Sequence, residues 1–267
     1  MEKSSSQLIP KRIHYCWFGK GKKPQIVKKC IRSWEKKCPD YEIIEWNESN
    51  FDINCNKWCQ LAYEEKKWAF VSDYVRLKVL WEYGGIYMDT DVELLKPLDD
   101  FLVYKCFLGF QHETFVSNGL IIGAEKNHVF VKENMEIYEN LVFRNEKDSY
   151  KLKVCQEYTT EILQNKGLIV PCDGKIQIVR DVYVFPPDYF CPYDHRTNTM
   201  HQTKNTVSIH HFASSWWDNK RKKEYKKIKR TMQMDYLLHT PNRILIKIMG
   251  EDSYNQLKKK VRGVYMK

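Results

Sequence analysis

Two aspartates two residues apart, Asp89 and Asp91, follow the apolar run Ile86-Tyr87-Met88. On a regular strand such a pair shares one face. At a strand end the first can approach a cation through water while the second ligates it directly. Hard carboxylate oxygens suit Mg²⁺ or Mn²⁺, which keep positions open for substrate phosphates. A cation so held acts as a Lewis acid on a departing nucleotide diphosphate. An Asp-x-Asp triplet alone recurs by chance, so the weight rests on what precedes it. Gly84-Gly85 permits a tight turn out of a helix. Upstream, Trp68–Tyr83 carries Trp68, Val71, Val75 and Val79 at helical spacing, which predicts a largely buried helix. Asp73 and Arg76 lie three apart on one face of it. Such a pair is either a solvated salt bridge or a grip on substrate. Its apolar neighbours favour the second, a grip on a substrate hydroxyl and a phosphate.

These side chains need a sheet to position them, and 267 residues can bury one large core with or without a small appendage. Strand-like and helix-like patches alternate. Strands are expected over 12–18, 41–46, 106–111 and 119–123, besides the one leading to Asp89. Helices are expected over Gln25–Lys37, 57–65, Trp68–Tyr83, 129–142 and 155–165. This alternation predicts an α/β domain with a mixed sheet, its ligands at the carboxyl ends of the strands, where Trp17 and Asp89 fall. Residues 144–205 read as an acceptor-side region that identifies no acceptor.

The string Ser72-Asp73-Tyr74-x-Arg76 … Tyr83-Gly84-Gly85-Ile86-Tyr87-x-Asp89-Thr90-Asp91 resembles the sugar-binding, DxD-containing region of glycosyltransferase family 32. That family includes bacterial capsular-polysaccharide and lipopolysaccharide transferases and a yeast α-1,6-mannosyltransferase. The large clostridial glucosylating toxins share the arrangement. Ile9 to Gly19 resembles the family's opening strand and nucleotide-binding loop, and Ile209 to Trp216 its closing metal-and-phosphate segment. The resemblance implies a GT-A type nucleotide-diphospho-sugar transferase fold with a mixed central sheet. It implies a retaining, metal-dependent transfer of a hexose-type sugar, from a UDP-sugar first and GDP-mannose next, to a saccharide or lipid-linked acceptor. Trp17 would lie against the base, where a core position is the competing reading. His210 would join Asp89 and Asp91 on Mn²⁺ or Mg²⁺, with His211 and simple packing as alternatives. Ser215 and Trp216 would donate to the diphosphate, Trp217 being the alternative to Trp216. Asn118 is either a turn residue or a contact to the transferred sugar. His14 reads equally well as structural. No residue stands out as a covalent nucleophile, so a front-face mechanism is the default.

Charge divides the chain. Residues 218–267 carry 11 Lys and 4 Arg against five acidic residues, which accounts for the whole net charge of +10. The expected domains are therefore a catalytic domain over 1–217 and a basic helical C-terminal extension over 218–267. A basic amphipathic segment suits an anionic membrane surface, and a solvated capping helix is the alternative. No nucleic-acid motif accompanies the charge. Nine scattered cysteines without paired metal spacing read as free thiols of a reducing cytosol. Neither a spanning helix nor the apolar core of a signal peptide is visible, so a cytoplasmic enzyme, peripheral at the inner membrane face, is expected. A sugar-phosphate transferase or nucleotidyltransferase uses similar paired acids, and a non-catalytic basic membrane-binding module is the second competitor.

Overall fold

Apolar segments too short for helices supply the strands. In a computed structural model, which describes residues 7–141, 153–195 and 197–213 with the isolated positions 230, 250 and 253, seven of them form one sheet. They are β1 (Arg12–Cys16), β2 (Glu42–Trp46), β3 (Gly85–Tyr87), β5 (Cys106–His112), β6 (Phe115–Ala124), β7 (Gln177–Val179) and β8 (Val182–Phe185), in the order β2-β1-β3-β6-β5-β8-β7. β1 runs parallel to β2 and β3, and β5 parallel to β8. β6 is antiparallel to β3 and β5, and β7 to β8. The expected α/β fold with a mixed central sheet is present. Outside it, β4 (Val92–Leu94) pairs antiparallel with β11 (Ser208–His210). Two further short strands, β9 (Tyr193–Asp194) and β10 (Thr199–Met200), lie between β8 and β11 in the chain.

Six helices complete the described part: α1 (Gln25–Lys37), α2 (Lys57–Glu64), α3 (Trp68–Tyr83), α4 (Val129–Asn140), α5 (Cys155–Gln164) and α6 (Pro187–Phe190). Alternation along the strands sorts their side chains into two cores. Ile13, Tyr15 and Phe107 pack with Cys30 and Trp34 of α1 on one side. Cys106 and Leu108 pack with α2, α3, α4 and α5 on the other. α3 is buried nearly all round, as an apolar helix without a polar face must be. It stops at Gly84, with φ +63°, and Gly85 follows with φ +109°. A Cβ on Gly84 would come 2.8 Å from the Lys126 nitrogen, and one on Gly85 2.8 Å from His14 Nε2, so the helix-to-strand turn requires both glycines.

The backbone separates into two units. The first comprises Met1–Asp194 and Met200–Trp216, the second His195–Thr199 and Trp217–Lys267. The expected basic extension over 218–267 lies outside the described residues, apart from the three isolated positions. All nine cysteines are free; Cys55 is exposed and seven of the others are buried. Among the described residues no helix is long and apolar enough to cross a membrane.

Candidate active site

β3 ends at Tyr87, so Asp89 and Asp91 do not continue a strand; they occupy the turn into β4. The Asp89 N–H donates to the Gly119 carbonyl at 2.9 Å, and the Val92 N–H closes the turn on the Asp89 carbonyl at 3.1 Å. The carboxylates therefore do not share one strand face, and each meets its own partners. Asp89 Oδ1 accepts from the Tyr87 hydroxyl at 2.9 Å and from Arg76 Nη2 at 3.3 Å. Asp91 Oδ2 accepts from the Ala213 N–H at 2.7 Å, and its Oδ1 lies 3.2 Å from His210 Nε2. α1 anchors the far side of the turn: Trp34 Nε1 donates to the Val92 carbonyl at 2.7 Å, and the Leu94 N–H to Ser33 Oγ at 2.9 Å. The β4–β11 register sets His210 opposite Val92. Adjacent strand residues point opposite ways, and His211 duly turns to Glu93, 2.8 Å away.

Arg76 links the turn to the interior. Its Nη1 lies 3.0 Å from Asp73 Oδ1 and donates to Asn118 Oδ1 at 3.0 Å and to Cys155 Sγ at 3.4 Å. Its carbon Cζ sits 5.0 Å from the centre of the Tyr87 ring, and its buried Nε makes no hydrogen bond. The Asp73–Arg76 pair is buried rather than a solvated bridge. It closes the ladder Asp73, Arg76, Asp89, in which one guanidinium serves two carboxylates. Gly119 makes room for it, because a Cβ there would meet Asp89 Oδ2 at 2.6 Å and Arg76 Nη1 at 2.9 Å.

A cleft of about 280 Å³ opens beside these groups and is bordered by Trp17, Lys22, Trp68, Arg76, Asp89 and Asp91. Trp17 leaves the end of β1, its Nε1 donating to the Gly21 carbonyl at 2.7 Å, with the Lys23 ammonium 5.6 Å from its ring centre. Gly19, at φ +86°, carries the Trp68 ring where a Cβ would be.

Four predicted residues, Trp17, Arg76, Asp89 and Asp91, thus share one cleft. Asp73 stands behind Arg76, and His210 behind Asp91. Asn118 corrects its turn reading: it lies within β6 and is 1 % exposed. Its oxygen serves Arg76, and its nitrogen donates to Thr159 Oγ1 at 2.9 Å. Each polar atom thus has one partner inside the protein, and one N–H and one lone pair of the amide remain. His14 is buried between the Gly84 carbonyl and Trp46, away from the cleft. Ser215 and Trp216 lie outside the described residues. Tyr87 was readable in principle, since it alternates with Asp89. Thr159 and the Ala213 N–H carried no local signal, their partners being 41 and 122 residues away.

Burial pushes the Asp73 carboxyl up to about 6, with Arg76 pulling it down and Asp89 pushing it further up. Asp89 is raised by burial and by Asp91, against the pull of Arg76. Burial acts to raise Asp91 as well, yet His210 and the Ala213 N–H outweigh it and hold the carboxyl below its ordinary value. His210, which burial alone would depress, is held well above its ordinary value by Asp91 and Cys191. The donor set of carboxylates and imidazole fits a hard divalent cation. As they stand, Asp91 Oδ1 and His210 Nε2 form an ion pair 3.2 Å long, and His210 would have to release its proton to join Asp91 on such a cation. Among the described residues no third His, Cys, Asp or Glu completes such a group, because Asp89 is turned to Arg76 and Tyr87.

Residues 24–108 match the family described as glycosyltransferase sugar-binding region containing DXD motif. Over 146 residues the chain is 30% identical to inositol phosphoceramide mannosyltransferase 3 of Schizosaccharomyces pombe, spanning 52% of this chain and 38% of that one. It is 42% identical over 76 residues to the Homo sapiens alpha-1,4-N-acetylglucosaminyltransferase, spanning 28% of this chain and 21% of that one. The chain therefore spans well under half the length of these curated relatives. Among solved structures, PaToxG glycosyltransferase superposes with a TM-score of 0.44 at 22% identity, over 60% of this chain and 69% of that one.

Proposed function

We propose, from the match of residues 24–108 to a DXD-containing glycosyltransferase sugar-binding region, that the protein is a retaining, metal-dependent glycosyltransferase of GT-A type. It moves a hexose-type sugar from a nucleotide diphosphate sugar, UDP-linked in preference to GDP-mannose, to a saccharide or lipid-linked acceptor. The observation that carries this reading is the Asp89–Asp91 turn, which shares one cleft with Arg76 and Trp17 at the carboxyl ends of parallel strands β1 and β3. The names of the two relatives support it, one a mannose transfer to inositol phosphoceramide and the other an α-1,4 transfer of N-acetylglucosamine.

Asp91 and His210 would hold Mn²⁺ or Mg²⁺, with Asp89 reaching it through water. Bound there, the cation neutralises the diphosphate as it leaves. Arg76 is fixed by three elements and borders the cleft where the transferred sugar would lie, while Asp73 maintains its charge and orientation. The single charge of Arg76 is already shared between Asp73 and Asp89, so a further positive side chain would help the metal meet the phosphates. Lys22 borders the cleft and could supply that charge. Trp17 offers a flat face to the base, which gives affinity with little selectivity. The resemblance would give Ser215 and Trp216 the diphosphate to hold; both lie outside the described residues. The cleft carboxylates both have partners, which favours front-face transfer with the departing diphosphate deprotonating the acceptor. The basic segment 218–267 would hold this enzyme at an anionic cytoplasmic membrane face, in surface-polysaccharide assembly.

Donor hydrolysis tests the reading. Purified protein with Mn²⁺ is offered UDP- and GDP-sugars separately, and released nucleotide is measured. Slow cleavage of one donor is expected, abolished by chelator and by Asp91→Asn. Release of a nucleoside monophosphate with a sugar phosphate on the product would point to the sugar-phosphate transferase instead. Absence of both turnover and metal-dependent UDP or GDP binding would overturn the proposal.

A further inference from the structure

Behind Arg76 runs a chain of hydrogen bonds through three elements. Arg76 Nη1 donates to Asn118 Oδ1 at 3.0 Å, Asn118 Nδ2 to Thr159 Oγ1 at 2.9 Å, Thr159 Oγ1 to Asn134 Oδ1 at 2.9 Å, and Asn134 Nδ2 to the Phe130 carbonyl at 2.8 Å. Arg76 belongs to α3, Asn118 to β6, Thr159 to α5 and Asn134 to α4. None of the four is more than 3 % exposed.

The direction of every link is forced. A guanidinium only donates, so Asn118 must turn its oxygen to Arg76 and its NH₂ away. That NH₂ requires an acceptor, which Thr159 Oγ1 provides, leaving the Thr159 proton for Asn134. Asn134 then ends the series on a backbone carbonyl. Buried polar groups are costly unless all are satisfied. α4 and α5 already pack through Phe130, Val131 and Leu163, so cohesion alone does not call for a polar file between them. The file ends on the one guanidinium that touches Asp89.

We propose that Thr159 and Asn134 are positioning residues for sugar transfer, acting through Asn118 to hold the Arg76 guanidinium against Asp89. The proposal rests on the glycosyltransferase reading above. Without the Thr159 hydroxyl the Asn118 NH₂ is left buried with no acceptor in the file, a cost the amide can shed only by turning or shifting. A flipped amide would point N–H at N–H, and Arg76 would leave its place. The donor's nucleotide end, at Trp17, does not depend on this file.

Thr159→Val removes the hydroxyl at nearly constant volume, and Thr159→Ser keeps it. Thr159→Val is expected to lower donor turnover about 10- to 100-fold, with the Kd for the free nucleoside diphosphate and the far-UV spectrum unchanged. Thr159→Ser should return turnover to near wild type. With ¹⁵N-arginine labelling, the Arg76 guanidinium should give a slowly exchanging signal in wild type and Thr159→Ser, lost in Thr159→Val. Should Thr159→Val not fold, Asn134→Ser, which shortens the last link, is expected to give the same split. A Thr159→Val protein with wild-type turnover and an intact guanidinium signal would overturn the proposal, as would a Thr159→Ser protein equally impaired. A wild type inert towards every donor and unable to bind nucleotide would overturn the glycosyltransferase reading, while the guanidinium signal still decides whether the file holds Arg76.

Discussion

His14 shows how much one side chain can be fixed by what surrounds it. Its Nε2–H donates to the Gly84 carbonyl at 2.8 Å, and its Nδ1 faces the Trp46 indole N–H at 3.1 Å. An indole nitrogen only donates, so Nδ1 must carry a lone pair and the ring must be neutral. Burial lowers its pKa from 6.5 to about 4. Between those values the unfolded chain holds more protons than the native one, so stability falls as pH drops through that window. Glutamine can also donate at one end and accept at the other. The difference in Tm between wild type and His14→Gln should therefore shrink from pH 7.5 to pH 5, as measured by thermal unfolding. A difference independent of pH would refute the assignment. The identity of such residues is legible in the sequence, and their partners are not: Gly84 and Trp46 lie 70 and 32 positions from His14. The same holds for Asp89 and Asp91, whose spacing predicts a cation site but does not reveal that each carboxylate faces different partners.

Among the elements, β6 carries two glycines with separate duties. A Cβ on Gly123 would come 2.1 Å from Phe107 Cε1 in the core, and one on Gly119 would meet Asp89 and Arg76. Gly123→Ala is expected to lower stability by about 1–3 kcal/mol while the folded fraction keeps its turnover. Gly119→Ala should lose most donor turnover at a smaller cost in Tm. Parallel unfolding and hydrolysis measurements separate the two, and a Gly119→Ala enzyme of wild-type rate would contradict the site geometry. α1 and α3 were legible to their ends because their punctuation, Pro24 before one and Gly84 after the other, lies in the sequence itself. β6 was expected over 119–123 and runs from Phe115 to Ala124. Its extra residues are strand because β5 pairs with them, and pairing with another segment leaves no local pattern. α5 was legible as a helix, but not as the element that carries Thr159 to Asn118.

For the molecule as a whole, formal charge is unevenly divided, the net +10 residing in residues 218–267. Attraction between such a segment and anionic lipid is screened over about 10 Å at 0.1 M salt. The full chain is therefore expected to sediment with phosphatidylserine-containing vesicles at 50 mM salt, to be released at 500 mM, and to ignore neutral vesicles. Binding indifferent to lipid charge, or none, would remove the proposed membrane role and leave the active site untouched. The site also draws on distant parts of the chain. Asp91 and the Ala213 N–H it holds are 122 residues apart, and β4 has only β11 as its partner in their two-stranded sheet. A ribosome adds about 5–20 residues per second, so roughly 6–24 s separate the synthesis of the acid from that of the segment that clasps it. Asp91 is thus made well before the segment that fixes it. A nascent chain would gain the proposed cation site only after residue 213 has emerged, when all seven strands of the central sheet have already been made.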